Sequence, residues 1–161
     1  MPPRSPSDAT VALRSLGRRF REAFAELDDA TADELAHRHG LDGHSALDHV
    51  VAATHTLTFV GRALELVLIE DDPVLHPAVL DAAAREWPHA TGGVADRLAE
   101  LAWEADAVAE RAERATAQEW TRRGRVAGHD QTVTAADLVW DAVDTAVAHL
   151  KSAEATLAQV R

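Results

Sequence analysis

The chain has 161 residues, enough for one domain with a continuous core. Its formal net charge of −11 repels a phosphate backbone and argues against a nucleic-acid partner. It has no cysteine, which removes disulfides, thiolate ligands and a cysteine nucleophile, so only His, Asp and Glu can hold a metal.

The hydrophobic fraction of 47% is ordinary for a globular protein. No 18-residue run is purely apolar, so no membrane span is expected. The opening MPPRSPSDAT lacks the apolar segment of a signal peptide, and the expected location is cytoplasmic. Lys151 is the only lysine among the sixteen basic residues, a composition of GC-rich bacterial genomes. The basic trio Arg122, Arg123 and Arg125 reads as a solvated turn.

Residues 1–7 carry three prolines and no periodicity, and are expected to be a flexible tail ahead of one domain over 8–161. From Asp8, the residues Leu13, Leu16, Phe20, Phe24 and Leu27 recur at spacings of three and four, one helical face near 8–29. Thr31 with Glu34 has the form of a capping box for a short helix that stops at Gly40. Ser45 with Asp48 caps the next, expected over 46–70 and apolar on nearly every side. Leu57 and Leu64 lie on one side of it, Phe59 and Leu66 on the other, so a second subunit or the following connection must cover the second side. A homodimer is the expectation drawn from this.

Residues 71–92, with Pro73, Pro77, Pro88 and Gly92, form a long connection with one helical turn near Val79 to Arg85. A heptad-like seam from Val94 to Ala112 predicts a helix over 93–116, and Thr134 with Asp137 caps a last one over 135–160. No segment alternates with period two for long enough to make a core strand, and no sheet is expected. The fold class is therefore all-α, an antiparallel four-helix bundle.

Nine histidines are the place to look for chemistry. His37, His39, His44, His76, His89 and His129 fall in or beside loops and read as solvated or capping residues. His49 and His55 share one helix but point about 120° apart at ~100° per residue. Asp144 and His149 on the last helix are about 140° apart by the same arithmetic. No HExxH or HxxxH is present, nor a nucleophile elbow, phosphate loop or dinucleotide fingerprint.

Several segments, in order, resemble the bacterial DinB-like family. WDAVDTAVAHLKSAEATLAQVR, from Trp140 to Arg161, is similar to its C-terminal helix. HSALDHVVAATHTL, IEDDPVLHP and EWTRRGRVAGHDQTVTAADL are similar to its second helix, the turn after it and the approach to its last helix. The resemblance spans about residues 10–161. It implies the bundle shared with the N-terminal domain of mycothiol-dependent maleylpyruvate isomerases and other bacterial thiol transferases.

It also implies a divalent metal held by a second-helix histidine and an HxxxH or ExxxH pair on the last helix. Here that pair falls on Asp144 and Ala148, with the second-helix ligand on Ala52; a slip of three residues puts it on His49. Asp144, Ala148 and Ala52 are then expected to face one cleft. His149 matches an extra histidine beside the second ligand. The implied site is degenerate, with His49 and Asp144 as its remnants, or rebuilt from Asp144, His49 and His55 or Asp48. An unmatched Asp144 is expected to turn to water or a nearby arginine.

Two functions follow from the resemblance. One is a bundle that has lost its metal site, binds a small molecule or a partner, and has no cofactor. The other is a divalent-metal-dependent enzyme of the DinB and thiol-transferase class, a hydrolase or a thiol-dependent transferase or isomerase using Zn or Ni.

Overall fold

The computed structural model describes residues 4–161 of the chain. It has five α-helices: α1 (Pro6–Phe24), α2 (Ala32–His37), α3 (Ala46–Ile69), α4 (Val94–Arg114) and α5 (Ala135–Val160). The four long ones form the expected four-helix bundle, and α2 is a single short helix between α1 and α3.

The caps explain where the helices begin. Ser45 and Thr134 each accept the backbone N–H of the aspartate three residues on, and that aspartate accepts the cap residue's own N–H. At the first helix the sequence reading was too late. Ser5 is the N-cap and Pro6 opens α1, where its missing N–H costs nothing. Residues 4–7 are thus part of the ordered bundle rather than of a tail, and residues 1–3 lie outside the described residues.

The connection from α3 to α4 settles helix direction. It returns along α3, so that Ala90 reaches Asp48 near the start of α3 and α4 then runs parallel to α3. Gly61 opposite Val108, and Glu65 with Arg111, keep that parallel register. α5 runs antiparallel to α3: its first residue bonds to Arg122, which holds the end of α3, while His149 meets His49 near the start. The core runs between the helices through Leu13, Phe20, Leu57, Leu64, Leu101 and Leu138.

A small sheet corrects the expectation of none. β1 (Val74–Leu75) pairs parallel with β2 (Arg123–Val126), which pairs antiparallel with β3 (Thr132–Thr134). These strands are two to four residues long, too short to leave a period-two signature, and they tie the connections together while adding Leu75, Val126 and Val133 to the core. The arginine trio is not a free turn either. Arg122 donates to the carbonyls of Val67 and Glu70 at 2.8 and 2.7 Å and so satisfies orphan acceptors at the end of α3, while Arg125 pairs with Asp72. Gly124 lies against Leu75, where an added Cβ would stand 2.7 Å from Leu75 Cδ1. Gly124→Ala is therefore expected to cost about 1–3 kcal/mol through overpacking, read as a lower urea midpoint.

By length and composition α3 could cross a membrane, at a mean hydropathy of 1.3 in its most apolar window. Yet 67% of that window is buried within the bundle, as in the core helix of a helical bundle.

Candidate functional site

α3 carries two features side by side: a histidine cluster at its start and an open cleft along its outer face.

The cluster is built by the loops on either side of the α3 cap. Gly43, at φ 79°, turns the chain before the cap, and Asp42 accepts the His44 N–H at 3.0 Å. This places the His44 ring 5.7 Å from that of His49. The cap residue Asp48, only 2% exposed, accepts from Ser45 N at 2.9 Å and from Ala90 N at 2.7 Å, with His89 Nδ1 3.5 Å away. Asp48 thereby pins the returning connection, and His89 and Trp87 come to rest over His44. His39 stacks on His89. Five histidines, at 39, 44, 49, 89 and 149, thus gather in one place.

At its centre is a polar chain. His49 Nε2 lies 3.0 Å from Asp42 Oδ2, and His49 Nδ1 lies 3.3 Å from His149 Nδ1. With Nε2–H donating to the carboxylate, Nδ1 of His49 presents its lone pair to His149. Burial, with His49 and His44 alongside, pushes the His149 pKa down to about 4. The N–H of His44, with the facing His49, holds the Asp42 carboxyl below its ordinary value despite some burial. Burial raises the Asp48 carboxyl, but its hydrogen bonds from Ala90, Ser45 and His89 outweigh this and leave it below the usual range.

The remnants named from the resemblance do not converge. Asp144 is exposed and pairs with Arg4 through two bonds of 2.6 and 2.7 Å, while the Arg4 guanidinium lies 3.6 Å over the Trp140 ring. The expected arginine partner of Asp144 is thus present. Ala148 is also exposed, whereas Ala52 is buried and lines the cleft. The reason is rotation about α5. Asp141, Thr145 and His149 form its half-buried edge, and Asp144 and Ala148 sit about 100° from their neighbours in that row, toward solvent. The pair four apart that includes the histidine facing α3 is Thr145 and His149, one residue later than the resemblance placed it. His49, three residues before Ala52, is the α3 histidine that meets it. His55 is on another face, at the cleft, as its spacing from His49 implied.

Among the loop histidines, His76 is a capping residue as expected, its Nδ1 accepting from Ala78 N. His37 bonds to the Gly92 carbonyl. His39, His44 and His89 read from the sequence as solvated or capping residues, because they lie outside the long helices, where helical-wheel arithmetic does not reach. One signal could have pointed to them: a capping aspartate has two oxygens, and Ser45 N occupies only one.

The donor geometry fits a metal incompletely. Two imidazole nitrogens 3.3 Å apart match one edge of a tetrahedron with bonds of about 2.0–2.1 Å. Asp42 on the far nitrogen of His49 is the kind of brace a ligating histidine uses. His44 Nδ1 is buried with no partner among the described residues. No group of three or more His, Asp or Glu side chains among those residues is, however, arranged to hold an ion. Stable protein sites use three or four donors.

The cleft beside the cluster encloses about 770 Å³. Ala52, Phe59 and Leu66 of α3 form one wall, and Leu75, Val79, Arg85 and Trp87 of the returning connection form another. The second apolar side of α3 is thus covered in part by its own chain. Trp87 also packs edge-on against His149, so the cleft and the cluster share a wall.

No family model matches this chain, and no curated protein is similar to it in sequence. Among solved structures it is similar to YfiT from Bacillus subtilis, described as a probable metal-dependent hydrolase with an unusual four-helix bundle topology. The TM-score is 0.69 at 15% identity, over 95% of this chain and 87% of that one. At that identity the likeness is one of fold: the chain has a four-helix bundle similar to that of YfiT.

Proposed function

We propose that this protein is a DinB-like bundle that binds a small organic molecule in the α3 cleft and retains no tightly bound metal. The cleft carries this reading. Its volume lies within the range of small-molecule sites, and its walls are mainly apolar with a few polar groups placed among them. The absence of a third donor beside His49 and His149 supports a degenerate metal centre. A fragment screen by ligand-observed NMR tests the reading. Fragments should compete for one site and lose binding in Ala63→Phe, which fills the cleft. Fragments that bind Ala63→Phe equally well would count against it.

A second reading, a divalent-metal-dependent enzyme using Zn or Ni, is favoured by the His49 to His149 spacing and the Asp42 brace. It is separated by thermal shift. Added zinc should leave the wild-type Tm unchanged, while Thr145→His, which adds an imidazole four residues before His149, should gain stability with zinc. A wild-type shift as large as that of the variant would favour the enzyme.

We also propose that the uncovered end of the same apolar strip supports a homodimer. Ile69 and Val74 are 72% and 56% exposed, beside Leu66. Sedimentation at micromolar concentration should show a dimer that Ile69→Glu dissociates, and wild-type monomer alone would refute it.

A further inference from the structure

Arg85 is the one arginine buried in the cleft wall, at 9% exposure. The connection and α5 hold it rigidly. Its Nε donates to the Ala78 carbonyl at 2.9 Å, its Nη2 donates to Asp141 at 2.6 Å, and its guanidinium carbon lies 5.1 Å from the centre of the Phe59 ring. Its Nη1 is buried with no partner among the described residues. A buried guanidinium N–H left unmatched is costly, and its natural complement is an anionic oxygen. A second guanidinium, Arg62, lines the same cleft and makes no ion pair among the described residues. Beyond them the lining turns acidic, with Glu86, Glu100 and Glu104.

We infer that the cleft takes a small monocarboxylic acid, its carboxylate on Arg85 Nη1 and its aromatic or aliphatic body along Phe59, Leu66 and Trp87. This rests on the reading of the cleft as a ligand site and names the ligand class. Asp141 already offsets the formal charge of Arg85, so the pocket offers one strong directed bond rather than a large positive field. The three glutamates oppose a second negative group. Dicarboxylates and phosphate esters are therefore disfavoured, and an ammonium group has no lone pair with which to accept the Nη1 hydrogen bond.

Isothermal titration of the full chain with four related probes tests the class: 3-phenylpropanoate, 3-phenylpropanol, 3-phenylpropylamine and phenylsuccinate. The monoacid should bind roughly tenfold or more tightly than the alcohol, the scale of one charge-assisted hydrogen bond, with the amine and diacid weaker still. The double variant Arg85→Gln with Asp141→Asn removes both charges together and avoids stranding a half-buried carboxylate. It should reduce the acid to the affinity of the alcohol. If that variant does not fold, Arg85→Lys, which keeps a charge opposite Asp141 but removes Nη1, serves in its place and should weaken the acid while sparing the alcohol. Alcohol, amine or diacid binding as tightly as the monoacid would overturn the acid assignment and leave the cleft as a ligand site. No binding by any probe at millimolar concentration would overturn both.

Discussion

Acidification from pH 6.5 to 4 is expected to remove about 3 kcal/mol of stability through His149 alone. The sign follows from the two states. In the unfolded chain His149 takes up its proton near its ordinary value of 6.5, whereas in the fold burial and the facing His49 and His44 delay this to about 4. Between these values the unfolded state holds the extra proton, so stability falls as the pH falls. The carboxyls of Asp42 and Asp48 act in a different window. Their folded pKa values are depressed, so what they contribute is present above the usual carboxylate range and is lost only below it. Urea unfolding at half-unit steps from pH 7 to 4 reads the effect, and His149→Gln should flatten the profile. A wild-type profile that is flat over this range, or a slope that survives the substitution, would show that the histidine pair is not buried as described.

Asp48→Ala is expected to cost about 2–4 kcal/mol, well above an ordinary helix cap. One carboxylate serves two backbone donors, Ser45 N at the start of α3 and Ala90 N on the returning connection. Removing it strands both, and the Ser45 donor lies at a residue that is 1% exposed. The loss also releases the segment that carries Trp87 and His89, so the cleft wall should loosen with the cluster. Ser45→Ala, which leaves the bonds to Asp48 Oδ1 and Oδ2 in place, should cost only about 1 kcal/mol. Equilibrium denaturation compares the two, and equal losses would mean that the tie to Ala90 contributes nothing.

The contrast between these residues shows what the sequence could and could not reveal. Ser45 with Asp48, and Thr134 with Asp137, mark helix starts because a capping box is local and has a fixed spacing. The four long helices were legible for the same reason: one helix face repeats every three to four residues. The short strands at 74–75 and 132–134 were not: the first pairs with a segment about fifty residues away, the second closes a local hairpin, and neither is long enough to leave a periodicity. The histidine cluster was half legible. His49 and His149 sit in helices, where direction can be counted. His39, His44 and His89 arrive by way of a positive-φ glycine and a tertiary bond to Asp48, which no spacing rule describes. Asp144 and Ala148 show the opposite hazard. The resemblance named a pair one residue before Thr145 and His149, and one residue is about 100° round α5, from the half-buried edge to solvent.

Metal analysis of protein purified without a histidine tag tests the central claim most directly. The cluster offers two imidazole nitrogens 3.3 Å apart and, among the described residues, no third donor arranged with them. Each protein molecule should therefore carry far less than one equivalent of Zn, Ni or Fe, whatever occupies the cleft. One equivalent of metal that is lost in His49→Ala and in His149→Ala would contradict this account and make the histidine cluster a working metal centre.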